Sequence, residues 1–152
     1  MKLAEALILR SDLQNRISQL ANRIDNNIVV QEGDKPTEDP KALFKELDEN
    51  LEKLTKLIQQ INNTNNNTKV DGELTLSELL AEREGLWEKR NIYARIADTA
   101  SVRFDRYSQS EIKKIVTMDV SSLQKEVDDI SKKWREIDTK IQGLNWTIDL
   151  LE

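Results

Sequence analysis

The stretch from Asp119 to Glu152 constrains the fold most. Its apolar residues are Val120, Leu123, Val127, Ile130, Trp134, Ile137, Ile141, Leu144, Ile148 and Leu151, and the steps between them alternate three, four, three, four. This is the seam of a helix that packs lengthwise against another helix. Left alone, such a helix would hold its whole apolar stripe in water. The rest of the chain therefore has to supply covering helices.

It holds three candidates. The first predicted helix runs from Lys2 to Asn26, with the stripe Leu9, Leu13, Ile17, Leu20 and Ile24, widened at its start by Leu3, Ala6 and Leu7. The second opens on Asp39, a capping residue, and on Pro40, whose missing N–H costs nothing at a first helical position. Phe44, Leu47, Leu51, Leu54, Ile58 and Ile61 form its stripe, and the run from Asn62 to Thr68 reads as a loop because asparagine competes for backbone hydrogen bonds. The third opens on the capping box Thr75-x-x-Glu78 between Leu74 and Leu79, and runs to Arg103. The final helix is capped by Asp119, with Ser121-x-x-Gln124 as an alternative box.

Two stretches read as extended: Ile28-Val29-Val30-Gln31, ahead of a turn at 32–36, and residues 112–117 with Met118 following. Up-down-up-down packing puts the first and third connections at one end of a bundle. The two extended runs are therefore expected to pair as a two-stranded ribbon there. Low Gly and Pro content and 34% charged residues fit long helices.

Missing residue types narrow the chemistry. The chain has no cysteine and no histidine. Disulfides, thiolate metal sites, cysteine nucleophiles and every histidine-based catalytic arrangement are thereby excluded. The net charge is -5, and residues 32–52 alone hold eight acids against three lysines. One acidic region on an otherwise neutral chain argues against nucleic acid as a partner. The start resembles a signal peptide only briefly, since Glu5 interrupts the apolar run and Arg10 ends it. No stretch reaches the ~18 apolar residues that would cross a bilayer. A native start, no membrane and a cytoplasmic location are expected. The N-x-T sequons at Asn62, Asn66 and Asn145 are read as chance.

Carboxylates are the only plausible metal ligands. Glu46-x-x-Glu49 and Glu126-x-x-Asp129 each put two acids on one helix face, the arrangement with which all-α nucleotide pyrophosphatases hold Mg²⁺. The same pairs, like Glu78 and Glu82, arise on any solvated acidic face. Arg103, Arg106 and Tyr107 form a basic and aromatic cluster suited to an anion or an acidic partner, or to tying a helix end to its loop. Arg83 and Arg90 occupy seam positions of the third helix. If buried they need partners, with acids of the second or fourth helix as candidates. Trp87 stands off that seam, and Trp146 and Leu150 stand off the final one. Arg83, Trp87, Arg90, Trp146 and Leu150 are the expected oligomer contacts.

Five stretches carry a resemblance over nearly the whole length: 1–10, Val30-Gln31-Glu32-Gly33-Asp34, Ile61-Asn62-Asn63-Thr64-Asn65, Arg106-Tyr107-Ser108-Gln109-Ser110-Glu111-Ile112 and Asn145-Trp146-Thr147-Ile148-Asp149-Leu150. The chain resembles a family of short bacterial helical proteins, many labelled septicolysin. That label implies a pore-forming toxin, although no alternating β-hairpin long enough to insert is present.

The sequence thus predicts an all-α fold. It is an elongated four-helix bundle or antiparallel coiled coil with a minor two-stranded β-ribbon at one end, in one domain over residues 1–152. The expected role is a non-catalytic structural or protein–protein interaction module that self-associates as a homo-oligomer and takes no cofactor. The alternatives are a Mg²⁺-dependent nucleotide hydrolase using the acidic helix faces, and the membrane-active toxin of the label.

Overall fold

The computed structural model describes residues 1–101 and 114–152. Its elements are α1 (Leu3–Asn27), α2 (Pro40–Asn67), β1 (Lys69–Asp71), β2 (Leu74–Thr75), α3 (Leu76–Ala100) and α4 (Val120–Thr147). The fold is all-α with a minor two-stranded antiparallel sheet, as the heptad patterning predicts. The chain divides into two compact units, one of Met1–Leu76 with Gln142–Glu152 and one of Ser77–Ile141.

In the first unit α1 and α2 run antiparallel. Arg16 Nη2 donates to Glu46 Oε1 at 2.7 Å, and Arg23 Nε donates to Glu38 Oε2, just ahead of α2, at 3.0 Å, so rising numbers on α1 meet falling numbers on α2 and its lead-in. Leu20 and Ile24 form a core with Leu43 and Leu47. The observed line on α1 is Leu3, Ala6, Arg10, Leu13, Ile17, Leu20, Ile24 and Asn27, an unbroken three-four repeat with Arg10 inside it. Leu9, expected on the stripe, stands 40% exposed. On α2 the buried line is Leu43, Asn50, Leu57, Ile61 and Thr64. The expected stripe is thus displaced by about one residue. Leu43 and Phe44, like Leu57 and Ile58, are adjacent apolar residues, and two neighbouring lines ~100° apart fit the same pattern.

α2 continues through the asparagine run that the sequence reads as a loop. Thr64 is fully buried, and Asn67 Nδ2 returns to Asn63 O at 2.9 Å. The penalty of a few tenths of a kcal/mol for each asparagine is offset by the helical hydrogen bonds that the continued turns keep and by burying Thr64, whose hydroxyl takes the Leu151 N–H. The expected ribbon is also corrected. The strands are Lys69–Asp71 and Leu74–Thr75, turned at Gly72, whose φ is +57°. Residues 28–31 form no strand and leave Val29 80% exposed, while 114–117 form none either and 112–113 lie outside the described residues. A turn between strands two residues apart closes at far less entropic cost than pairing segments some eighty residues distant.

The chain ends meet in this unit. Lys2 and Asp149 form an antiparallel bridge. Leu3 N–H donates to Ile148 O and Leu150 N–H to Met1 O, both at 2.9 Å. Lys2 Nζ lies 2.8 Å from Asp149 Oδ1 and donates to Thr147 O at the C-terminus of α4, where the helix dipole favours a cation. Leu151 N–H donates to the buried Thr64 Oγ1 at 2.9 Å. These bonds draw the last residues off the helical path. α4 stops at Thr147, so Ile148 and Leu151 leave the expected seam.

In the second unit α3 and α4 are antiparallel. Arg83 meets Asp138, Trp87 meets Trp134 and Arg90 meets Ser131, in constant register. Thr75 directly precedes α3 and Glu78 follows three residues later, the spacing of the expected box. Asp119 caps α4 as expected. Its carboxylate accepts the N–H groups of Ser121 and Ser122 at 3.3 Å and the Ser122 hydroxyl at 2.7 Å. These donors hold its pKa below the usual value, the Ser122 hydroxyl most strongly.

Candidate interaction face

Arg83, Trp87 and Arg90 lie on α3, one helical turn apart. Arg83 and Asp138 are mostly covered, with side chains 21% and 26% exposed. Arg83 Nη1 donates to Asp138 Oδ1 at 2.8 Å, and Nη2 to Glu84 Oε1 at 3.0 Å. Asp138 is one of the α4 acids that the sequence offers as partner. A guanidinium shared between two carboxylates satisfies a seam position that would otherwise strand a charge.

Arg90 is treated differently. Its register mate is Ser131, reached from Nε at 3.4 Å, and Nη1 reaches only Asn91 at 3.3 Å. No carboxylate lies within ion-pair distance among the described residues. The guanidinium stands 5.6 Å from the centre of the Trp87 ring, in cation–π range. Trp87 lies in turn 5.0 Å from Trp134, with ring planes tilted by 43°. Such a pair is worth about 1 kcal/mol beyond its buried area. Yet Trp87 remains 43% exposed, with Ile92 and Ile96 further along the helix at 39% each. Beside Arg90, the small Ala94 and Ala97 leave a cleft of about 510 Å³, bounded by Asp98, Gln124, Val127 and Asp128.

α3 thus carries apolar groups beyond its α4 seam. Leu79 and Ala97 are buried, and Leu86 and Tyr93 are half-buried. Trp87 lies to one side of that line, Ile92 and Ile96 to the other.

The other candidates divide. Trp146, in the first unit, is 58% exposed. Leu150 is half-buried, and its N–H is engaged by Met1. Glu46 is committed to Arg16, and Glu49 points to solvent. Glu126 and Asp129 are both exposed on α4. Among the described residues no three acidic side chains gather closely enough to hold a metal ion. No described helix is long and apolar enough to cross a membrane. Arg103, Arg106 and Tyr107 lie outside the described residues.

Sequence reasoning missed Arg10. The signal is present, because Arg10 interrupts a three-four line through Leu3, Ala6, Leu13 and Ile17 just as Arg83 and Arg90 interrupt theirs.

The model of a family of unknown function (DUF6847) matches residues 10–150. A solved structure described as a functionally unknown conserved protein from Corynebacterium diphtheriae is 40% identical, with a TM-score of 0.92 over 99% of each chain. No curated protein matches.

Proposed function

Because the chain belongs to DUF6847, a family of unknown function, its own surface is the guide to its role, and we propose that it is a non-catalytic protein-interaction module that works as a homo-oligomer. The observation that carries this reading is the Trp87 face. A large indole, packed at a tilt against Trp134 and overhung by a guanidinium with no carboxylate partner among the described residues, stands 43% exposed on a helix whose seam is already occupied. Aromatic and arginine side chains in one half-covered patch are the usual anchors of protein interfaces. Trp87 and Arg90 are the contact residues of this patch, with Arg83 holding α3 in register against Asp138 of α4; Trp146, 58% exposed in the first unit, is a separate candidate contact.

Sedimentation velocity on the full chain, from low-micromolar to submillimolar concentration, tests the reading. Two or more copies per particle are expected, with a shift toward smaller species in Trp87→Ala. A monomer at every concentration overturns it.

A further inference from the structure

Arg90, unlike Arg83, is left with an unmet requirement. The two hold equivalent positions seven residues apart on the α3 line that faces α4, and both are half-buried. Arg83 has two carboxylates, those of Asp138 and Glu84. Arg90 has only neutral oxygens at long range: Nε donates to Ser131 Oγ at 3.4 Å and Nη1 to Asn91 Oδ1 at 3.3 Å. A half-buried guanidinium met this weakly favours an anion beside it.

The cleft beyond Arg90 limits what can carry that anion. Trp87 and Trp134 fill the space between α3 and α4 one turn earlier. Past Arg90 the line continues with the small Ala94 and Ala97, which with Val127 of α4 floor the cleft of about 510 Å³, a volume in the range of small-molecule sites. Its far end is acidic. Asp98 and Asp128 border the cleft, both exposed. Neither lies within ion-pair distance of Arg90 or of any other cation among the described residues. Asp98 follows Arg90 by eight residues, so it stands ~12 Å further along the helix axis. Opposite charges without partners thus flank an apolar floor.

We propose that this cleft binds a small zwitterion with a carboxylate at one end, an ammonium at the other and a methylene chain between them, an amino acid of the lysine kind. The carboxylate lies on the Arg90 guanidinium, and the methylenes cross Ala94, Ala97 and Val127. The terminal ammonium reaches Asp98 and Asp128, and the α-ammonium stays in solvent. Each charge selects against a simpler ligand. An inorganic anion would meet the two acids, and a diamine would place a second cation against Arg90. An amino acid with a short side chain carries its two charges on one carbon, too close to serve both ends. The inference goes beyond self-association and does not depend on it. Arg90 belongs to both readings, whereas Asp98 and Ala94 stand outside the Trp87–Arg90 contact.

Titration calorimetry on the full chain tests the proposal with three probes: lysine, norleucine, which lacks the terminal ammonium, and cadaverine, which lacks the carboxylate. Lysine is expected to bind, and each analogue at least about tenfold more weakly. Arg90→Met and Asp98→Asn are each expected to weaken lysine binding by a similar factor. Ala94→Leu keeps every charge and fills the floor, and is expected to abolish binding. Helix content by circular dichroism confirms that the variants fold. Loss of binding in Asp98→Asn with an unchanged sedimentation profile supports the cleft apart from any effect on self-association. No binding of lysine by the parent up to about 10 mM overturns the proposal. So does cadaverine binding as tightly as lysine, which leaves Arg90 without a part, or lysine binding retained in both Asp98→Asn and Ala94→Leu.

Discussion

Replacing Thr64 separates two contributions to how the chain end is held. Thr64 is fully buried, and its hydroxyl does two jobs. It donates to Gln60 O at 2.8 Å and accepts from Leu151 N–H at 2.9 Å. Thr64→Val keeps the volume and removes the hydroxyl. Gln60 O retains the helical N–H of Thr64, so that loss is small. Leu151 N–H loses its acceptor, but Leu151 is 40% exposed, and water partly replaces the bond. The cost therefore falls at the low end for an unsatisfied group, about 1 kcal/mol. Thr64→Ser keeps the hydroxyl and removes one buried methyl, also about 1 kcal/mol. Thr64→Ala removes both and is expected to cost roughly 2 kcal/mol if the terms add. Valine and threonine have similar helix propensity, so the backbone does not obscure the comparison. For a chain of this size, each kcal/mol lowers Tm by about 2–4 °C. Thermal unfolding gives the total, and amide hydrogen exchange at Leu151 isolates the bond: faster exchange in Val and Ala, parental in Ser. If Thr64→Val melts with the parent and Leu151 exchange is unchanged, the hydroxyl is not what holds the chain end.

Two further outcomes follow from the ion pairs and the α4 cap. In a double-mutant cycle, Arg83→Met and Asp138→Asn should show a coupling of about 1 kcal/mol, between an exposed and a fully buried pair; denaturant unfolding measures it, and zero coupling removes Asp138 as the partner. Asp119, Glu38 and Asp149 all have lowered pKa values in the folded chain, held by the Ser122 hydroxyl, Arg23 and Lys2 respectively. Their contributions are therefore complete above the unfolded carboxylate range and are lost as pH falls through the lower folded values. Tm should drop as pH is taken down from about 4.5, and Asp119→Asn should flatten part of that drop.

How much the sequence disclosed depended on whether one pattern admitted one answer. The cap at Asp119, read beside the alternative box Ser121-x-x-Gln124, was observed, and the seam predicted from Val120 to Leu151 was observed as far as Leu144. The partner of Arg83 was narrowed correctly to helical acids because a seam cation needs one. On α2 the adjacent pairs Leu43–Phe44 and Leu57–Ile58 fitted two lines equally well, and packing against α1 selected the one not favoured by the repeat. The asparagine run misled because local propensity, worth tenths of a kcal/mol per residue, says nothing of the burial of Thr64. Asp71-Gly72 was a legible hairpin signal that the strongly β-branched runs at 28–30 and 112–116 overshadowed. The Trp87–Trp134 contact could not be read, since Trp87 lies off the seam and register between antiparallel helices is not written in either helix alone.

The clasp between residues 1–3 and 148–151 has a consequence for the order of folding. The first unit is discontinuous: its first 76 residues are separated from its last 11 by the whole of the second. During vectorial synthesis α1 and α2 leave the ribosome long before their closing segment exists. Until then Thr64 has no amide to accept and Lys2 has no carboxylate. The bonds that tie Lys2 to Asp149 span nearly the full chain, so they raise contact order and carry the largest loop-closure entropy in the molecule. Prior folding of α3 on α4 shortens the effective loop and lowers that cost. The clasp is therefore expected to close last, and its loss to speed unfolding far more than it slows folding.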